Sequence, residues 1–244
     1  MSRGSPGGSQ RGTVPPVGRT PSLWRIDPPI LGRLLAGLWI FGVGEACLVL
    51  ATLGNSPWTV LAEGVSEQSG AGIGEVTIVI SFVVLLLWIP LRQRPGLGTI
   101  LNAIVVGVAI GVTLRLVDGP TELPWRLALV AGGIALVGAG SGLYLTSHLG
   151  PGPRDGLMTG LHLRTGRSLR LVRTGLEVTV TIAGAALGGT VGIGTLAFAL
   201  LIGPAVQLFV GLGGGLTARA DPATRSGSAR RPWAARSSKH RGAS

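Results

Sequence analysis

The sequence predicts an all-α membrane protein: a polytopic bundle of six transmembrane helices, arranged as two inverted three-helix repeats that each carry one extra short helix. Three observations carry this expectation. Apolar residues make up 46% of the 244-residue chain and charged residues only 13%, with a positive mean hydropathy of +0.52, the composition of a multi-pass membrane chain. The charges are also crowded: residues 178 to 218 contain no Asp, Glu, Lys or Arg, a run about twice as long, as helix, as the ~30 Å hydrocarbon layer, so two spans must share it. Finally, the chain repeats itself at an offset of ninety-six: Leu53-Gly54-Asn55-Ser56-Pro57 returns as Leu149-Gly150-Pro151-Gly152-Pro153, and Pro95-Gly96-Leu97-Gly98-Thr99 as Val191-Gly192-Ile193-Gly194-Thr195. Gly42 and Gly44 meet Gly138 and Gly140 at the same offset, and Gly70 meets Gly166. A register held without a gap over such a length indicates duplication of one unit.

Taken in order, residues 1–31 are rich in Gly, Pro, Ser and Arg and lack the apolar core of a signal peptide, so they read as a disordered basic cytoplasmic tail. Repeat 1 occupies 32–117 and repeat 2 occupies 118–218. The six expected spans run about 34 to 54, 74 to 91, 97 to 116, 126 to 148, 171 to 188 and 194 to 213, all helical because an isolated strand leaves its backbone unpaired in lipid. Two further helical segments, 57 to 69 and 153 to 165, are too short to cross. Each has Pro at the first helical position, Ser56 or Gly152 before it, and Gly70 or Gly166 at its end. They fit either a re-entrant half-helix or an amphipathic helix at the interface. Residues 219–244 form a second basic tail.

The net charge of +11 invites a nucleic-acid reading, but the basic residues sit in the tails and in particular loops, and no aromatic residues interleave with them. The pattern matches cytoplasmic flanks of membrane helices. The first loop carries Glu63, Glu67 and Glu75 with no Arg or Lys, the second carries Arg92 and Arg94, and the fourth holds Arg154, Arg164, Arg167, Arg170 and Arg173. Six spans with both termini cytoplasmic satisfy these loops. A unit of three spans is odd, so its second copy must enter from the other side, which makes the repeats inverted.

Gly- and Pro-interrupted segments at matching positions of inverted repeats point to a transporter with a site where the copies meet. Glu45, near the middle of the first span, is costly there unless it faces water, a partner or a proton. Pro57 and the Gly150, Gly152, Pro153, Arg154 and Asp155 turn complete the candidate pathway, since free amides at a helix start can bind an anionic group. Arg173 and Glu177 share a helical face at i, i+4 and form a candidate ion pair or gate. Gly107 with Gly111, Gly184 with Gly188 and Gly211 with Gly215 are spaced for close helix approach. Cys47 is the single cysteine, His148, His162 and His240 are scattered, and no metal site, cofactor or catalytic constellation is implied.

The runs Leu53 to Leu61, Pro90 to Thr99, Leu149 to Met158 and Arg173 to Glu177 resemble the YczE/YyaS/YitT family of bacterial integral membrane proteins, over about 34 to 213. The resemblance implies a multi-pass protein of the bacterial cytoplasmic membrane and assigns no catalytic residue. The expected role is non-enzymatic: a transporter or channel for a small solute or ion, with a membrane scaffold or assembly factor as the alternative. The bilayer is the one partner implied besides the solute. The inversion has a direct test: single cysteines placed by Ser66→Cys and His162→Cys should label from opposite sides of the membrane, and labelling of both from one side would remove the three-span unit.

Overall fold

The computed structural model describes residues 23, 24 and 26 to 220, with side chains as far as Leu212. Among these residues there are eight helices and no strand: α1 Pro28–Ala51, α2 Pro57–Ser69, α3 Ile73–Leu91, α4 Leu97–Leu116, α5 Leu123–Leu145, α6 Pro153–Thr165, α7 Leu169–Ala186 and α8 Ile193–Ala220. The short helices fall where the sequence puts them. The first span instead begins at Pro28, inside the segment expected to be tail, because Asp27 and the Pro28-Pro29 pair form a helix start. The last helix continues to Ala220, past the expected boundary at 219. The remainder of both tails lies outside the described residues.

Matching turns punctuate the two halves. Gly54 and Gly150, ninety-six apart, take φ of 112° and 117°, and Gly70 and Gly166 take 71° and 67°. Thr52 and His148, likewise equivalent, are non-glycine residues with φ of 51° and 55°. Such backbone is open to glycine and uncommon for other residues, so its recurrence at equal offsets marks the same turn built twice.

The centre of the bundle is the contact between α1 and α5. Gly37 lies against Gly140 and Leu143, and Gly44 against Gly133 and Val137, so numbering rises along one helix as it falls along the other and the two run antiparallel. A Cβ at Gly140 would stand 2.5 Å from the Gly37 carbonyl oxygen, and one at Gly133 would stand 2.8 Å from that of Gly44. Glycine at these four positions lets the backbones touch. The offset of ninety-six carries Gly37 to Gly133 and Gly44 to Gly140, exchanging one pair for the other. Each helix also caps its neighbour. Arg33 donates to the Thr146 carbonyl at 2.8 Å, while Arg126 donates to the carbonyls of Ala51 at 2.8 Å and Thr52 at 3.0 Å, placing a cation on each unsatisfied carboxyl end.

Around this pair the halves interlock. α4 flanks α1 and α8 flanks α5, whereas each short helix crosses over: α2 packs on α7, and α6 on α3. The duplicated turns bind one another across the halves, Gly98 N–H donating to the Leu149 carbonyl at 2.9 Å and Gly194 N–H to that of Leu53 at 2.8 Å. Thr99 Oγ1 accepts from Gly96 N–H at 3.1 Å and donates to the Pro151 carbonyl at 2.7 Å. The two echoed motifs of the sequence are thus each other's partners. Leu48, Val137 and Ile202 centre one apolar cluster and Leu34, Leu38 and Ile110 another.

The equivalence breaks at α7. Gly74 on α3 packs against Gly107 and Gly111 on α4, but their mates are Arg170, Gly203 and Gln207. α3 and α4 lie together, α7 and α8 make no comparable contact, and a Cβ at Gly203 would meet nothing. Among the described residues five helices are long and apolar enough to cross a membrane, and α7, carrying Arg170, Arg173 and Glu177, is not one of them. Of the expected glycine pairs, Gly184 does lie against the Val60 and Leu61 backbone but Gly188 sits in a turn at φ 105° rather than in a helix, and Gly211 faces open space while the surroundings of Gly215 lie outside the described residues.

Overpacking the α1 and α5 contact should be costly in proportion to backbone proximity. Gly140→Ala should destabilise the protein by roughly 1–3 kcal/mol, read as a fall in detergent melting temperature. Gly132→Ala, at an open position of the same helix, should leave it unchanged or slightly raised.

Candidate functional site

The two short helices begin face to face inside the molecule. Pro57, Trp58, Thr59 and Val60 at the start of α2 are buried, as are Pro153, Gly156, Leu157 and Met158 in α6. Trp58 and Arg154 occupy equivalent positions of the two helices, and the Arg154 guanidinium lies over the Trp58 ring, 5.3 Å from its centroid, in range of a cation–π interaction. From this meeting point the helices diverge. Gln68, near the end of α2, donates to the Leu187 carbonyl at 2.9 Å, and Arg164, near the end of α6, donates to the Pro90 carbonyl at 2.5 Å.

The N-terminus of α2 holds a buried carboxylate. Glu45 is 0% exposed, and its Oε2 accepts from Ser56 Oγ and Thr59 Oγ1, each at 2.7 Å. Ser56, at the N-cap position, donates its hydroxyl hydrogen to Glu45, and its oxygen accepts no hydrogen bond from the helix backbone. An anion at a helix start is favoured by the partial positive charge there. The other half reaches the same result by a different route. Asp155, the mate of Thr59, lies in the first turn of α6, and its Oδ2 accepts from Tyr144 Oη of α5 at 2.5 Å. One carboxylate faces each helix start, supplied by the long helix in the first half and by the short helix in the second.

A cavity of about 320 Å³ lies between the halves at this point, at the lower end of the range for small-molecule sites. Of the residues singled out from the sequence, Glu45, Pro57, Gly152, Arg154, Asp155, Arg173 and Glu177 line it. Gly150 and Pro153 do not. Gly150 supplies the turn behind the cavity, against Thr99 and Gly96, and the Pro153 carbonyl accepts from Trp88 Nε1 at 3.0 Å. Arg173 and Glu177 form an ion pair of 2.8 Å along α7, facing α8 residues such as Ile202 and Gln207 across the seam where those helices separate. Ser56, Trp58, Thr59 and Tyr144 were not singled out in the sequence. Ser56, Trp58 and Thr59 share the duplicated turn or its register, and only the asymmetry between mates at the helix starts marks them.

Several polar groups in the wall lack partners. Glu45 Oε1 and Trp58 Nε1 are buried and make no hydrogen bond. Among the described residues the Arg154 guanidinium makes no ion pair within 4 Å and no hydrogen bond; it rests on Trp58, within reach of the charges of Glu45 and Asp155. Outside the cavity, Glu63 ties the α1–α2 turn to the α7–α8 turn, accepting from Asn55 Nδ2 at 2.8 Å and from Thr190 N–H at 2.5 Å. No group of three or more His, Cys, Asp or Glu side chains placed to hold a metal ion occurs among the described residues.

Long apolar helices around a cavity with a few polar groups in its wall define a helical membrane protein. The chain belongs to a family of unknown function, DUF6198, whose model matches residues 31–211. It is 45% identical over 191 residues to an uncharacterized protein of Haemophilus influenzae, covering 78% of this chain and 88% of that protein. It is 31% identical to the uncharacterized membrane protein YczE of Bacillus subtilis, over 69% of this chain and 79% of that one, and 26% identical to YyaS of the same organism, over 71% and 89%. No solved structure matches it.

The Glu45 arrangement makes an energetic prediction. Ser56→Ala with Thr59→Val removes both donors from a buried carboxylate and should cost about 3 kcal/mol or more, because the charge is left bare. Adding Glu45→Leu to that double variant should recover part of the loss in thermal unfolding, since the group that lacked partners is then gone.

Proposed function

We propose that the chain is a transporter for a small solute or ion across the bacterial cytoplasmic membrane, with its site in the cavity between the halves. The observation that carries this reading is the meeting of two half-helix N-termini, at Trp58 and Arg154, around a cavity that contains the buried Glu45. Broken helices whose starts point at a central site are the membrane counterpart of anion sites at helix N-termini. A bundle serving only as a scaffold has no reason to keep unpaired polar groups at its centre, where each costs free energy.

In this reading α7 is the sixth span, with Arg173 and Glu177 facing the cavity rather than lipid, and α2 with α6 are re-entrant segments. The antiparallel packing of equivalent helices α1 and α5 supports inverted repeats. The charges of the two ends support an orientation. Arg92, Arg94, Arg164 and Arg167 gather near the start of α1 and the end of α3, and Glu63, Glu67 and Glu75 gather at the opposite end, where Arg115 pairs with Glu75 and Arg126 is held by the end of α1, a balance that favours a cytoplasmic basic end. Arg173 and Glu177 then serve as a gate at the seam between α7 and α8, and the task involves no covalent step.

Purified protein in vesicles should carry solute in a manner that depends on Glu45. Glu45→Gln should lower flux about tenfold or more while leaving expression and gel-filtration behaviour intact. A scaffold would give no flux for any solute and a stable partner on mild solubilisation.

A further inference from the structure

Resting on the reading of this cavity as a solute pathway, we infer that its ligand is a small zwitterion, with an anionic oxygen group held by Arg154 and the N-terminus of α6 and an ammonium group held by Glu45. The unpartnered groups of the wall are of both kinds. Glu45 Oε1 is a buried acceptor on a carboxylate, whereas Trp58 Nε1 is a buried donor and the Arg154 guanidinium, which lies over Trp58, belongs to a residue of the same wall. An anion alone would leave Glu45 Oε1 unpaired, and a cation alone would leave Trp58 and Arg154 unpaired, each at the cost of a desolvated polar group.

The charge of the site leads to the same class. Arg173 and Glu177 neutralise each other at 2.8 Å. What remains is Glu45 and Asp155 against Arg154 and two helix N-termini, each end carrying roughly half a positive charge, so the total is about zero. A ligand with net charge would leave that charge uncompensated in a low-dielectric centre, and a zwitterion would not. The spacing must be short, because Ser56 and Thr59, which hold Glu45, flank the Trp58 whose ring carries Arg154 at 5.3 Å. Opposite charges in the wall of one cavity match an amino carboxylate or a compact amino phosphate. A cavity of about 320 Å³ admits such a molecule. The same pair of charges occurs on a free amino acid and on an ethanolamine phosphate headgroup.

The test uses full-length protein purified in detergent, titrated with glycine, β-alanine, γ-aminobutyrate, glycine betaine and glycerophosphoethanolamine beside acetate, phosphate and methylammonium. Calorimetry, melting temperature and Trp fluorescence are followed. At least one zwitterion should bind, raise the melting temperature and change the emission, and the singly charged compounds should bind at least about tenfold more weakly. Preference for glycerophosphoethanolamine identifies a lipid headgroup as the source, and preference for an amino carboxylate identifies a free solute. Arg154→Gln and Glu45→Gln should each weaken that binding roughly ten- to hundredfold, and the wild-type comparison stands if either variant fails to fold. Acetate, phosphate or methylammonium binding as tightly as every zwitterion would overturn the inference, as would no binding by any zwitterion. Zwitterion binding without flux in vesicles would instead remove the transport reading and leave the site, whereas flux of a singly charged solute with no zwitterion binding would do the reverse.

Discussion

Backbone contact between α1 and α5 is the constraint on which the other features hang. Four glycines, Gly37 and Gly44 on one helix and Gly133 and Gly140 on the other, bring the two chains close enough that side chains cannot intervene. In lipid there is no hydrophobic gain from pressing two apolar helices together, so dispersion between well-matched surfaces must hold them. The fit also sets the register, and the register sets both ends. Arg33 and Arg126 reach the carbonyls of the neighbouring helix only because the helices end level with each other. From those ends the chain turns at Gly54 and Gly150 back toward the centre, where the short helices start and run outward again.

Upon this paired frame the two halves diverge at a few positions, and the divergence is concentrated around the cavity. Trp88 fills a space that Gly156 opens for it between α3 and α6, whereas their mates are Gly184 and Val60, where α7 lies directly on the α2 backbone. Gly74, Gly107 and Gly111 close α3 upon α4, and Arg170, Gly203 and Gln207 leave α7 apart from α8. Glu45 is replaced by Ser141, Thr59 by Asp155 and Trp58 by Arg154. A symmetric frame thus surrounds an asymmetric site, which is what a cavity must be if it is to hold a ligand in one orientation.

The frame was largely legible in the chain, and the reason is local chemistry. Pro57 and Gly70, with Pro153 and Gly166, bound the short helices by fixed φ at one end and left-handed backbone at the other, signals that tertiary packing does not override. The start of α1 was less legible, because Arg33 resembles a tail residue until its partner, the Thr146 carbonyl, is known. Of the α1–α5 glycines, Gly44 and Gly140 stood out as mates and Gly37 with Gly133 did not, since many glycines share the same spacing and only contact tells packing from turn. Glu45 was conspicuous as a charge in an apolar run. Tyr144 and Trp58 were not, because aromatic residues in membrane helices face lipid, protein or interface with equal ease.

The polar centre must also survive its own cost. Two carboxylates and a guanidinium beside a small cavity would destabilise an ordinary apolar core by several kcal/mol each if bare. Here each carboxylate stands at a helix start and accepts hydroxyl hydrogens: Glu45 from Ser56 and Thr59, Asp155 from Tyr144. The guanidinium in turn rests on an aromatic face. Compensation therefore comes from the fold itself, through short helices whose starts exist only because the long helices stop and turn early. It remains incomplete at Glu45 Oε1 and Trp58 Nε1, neither of which the packing of α1 and α5 requires. A frame that could have been sealed with apolar side chains keeps one unpaired acceptor and one unpaired donor in the wall of its cavity, and each holds free energy that only a further partner would return.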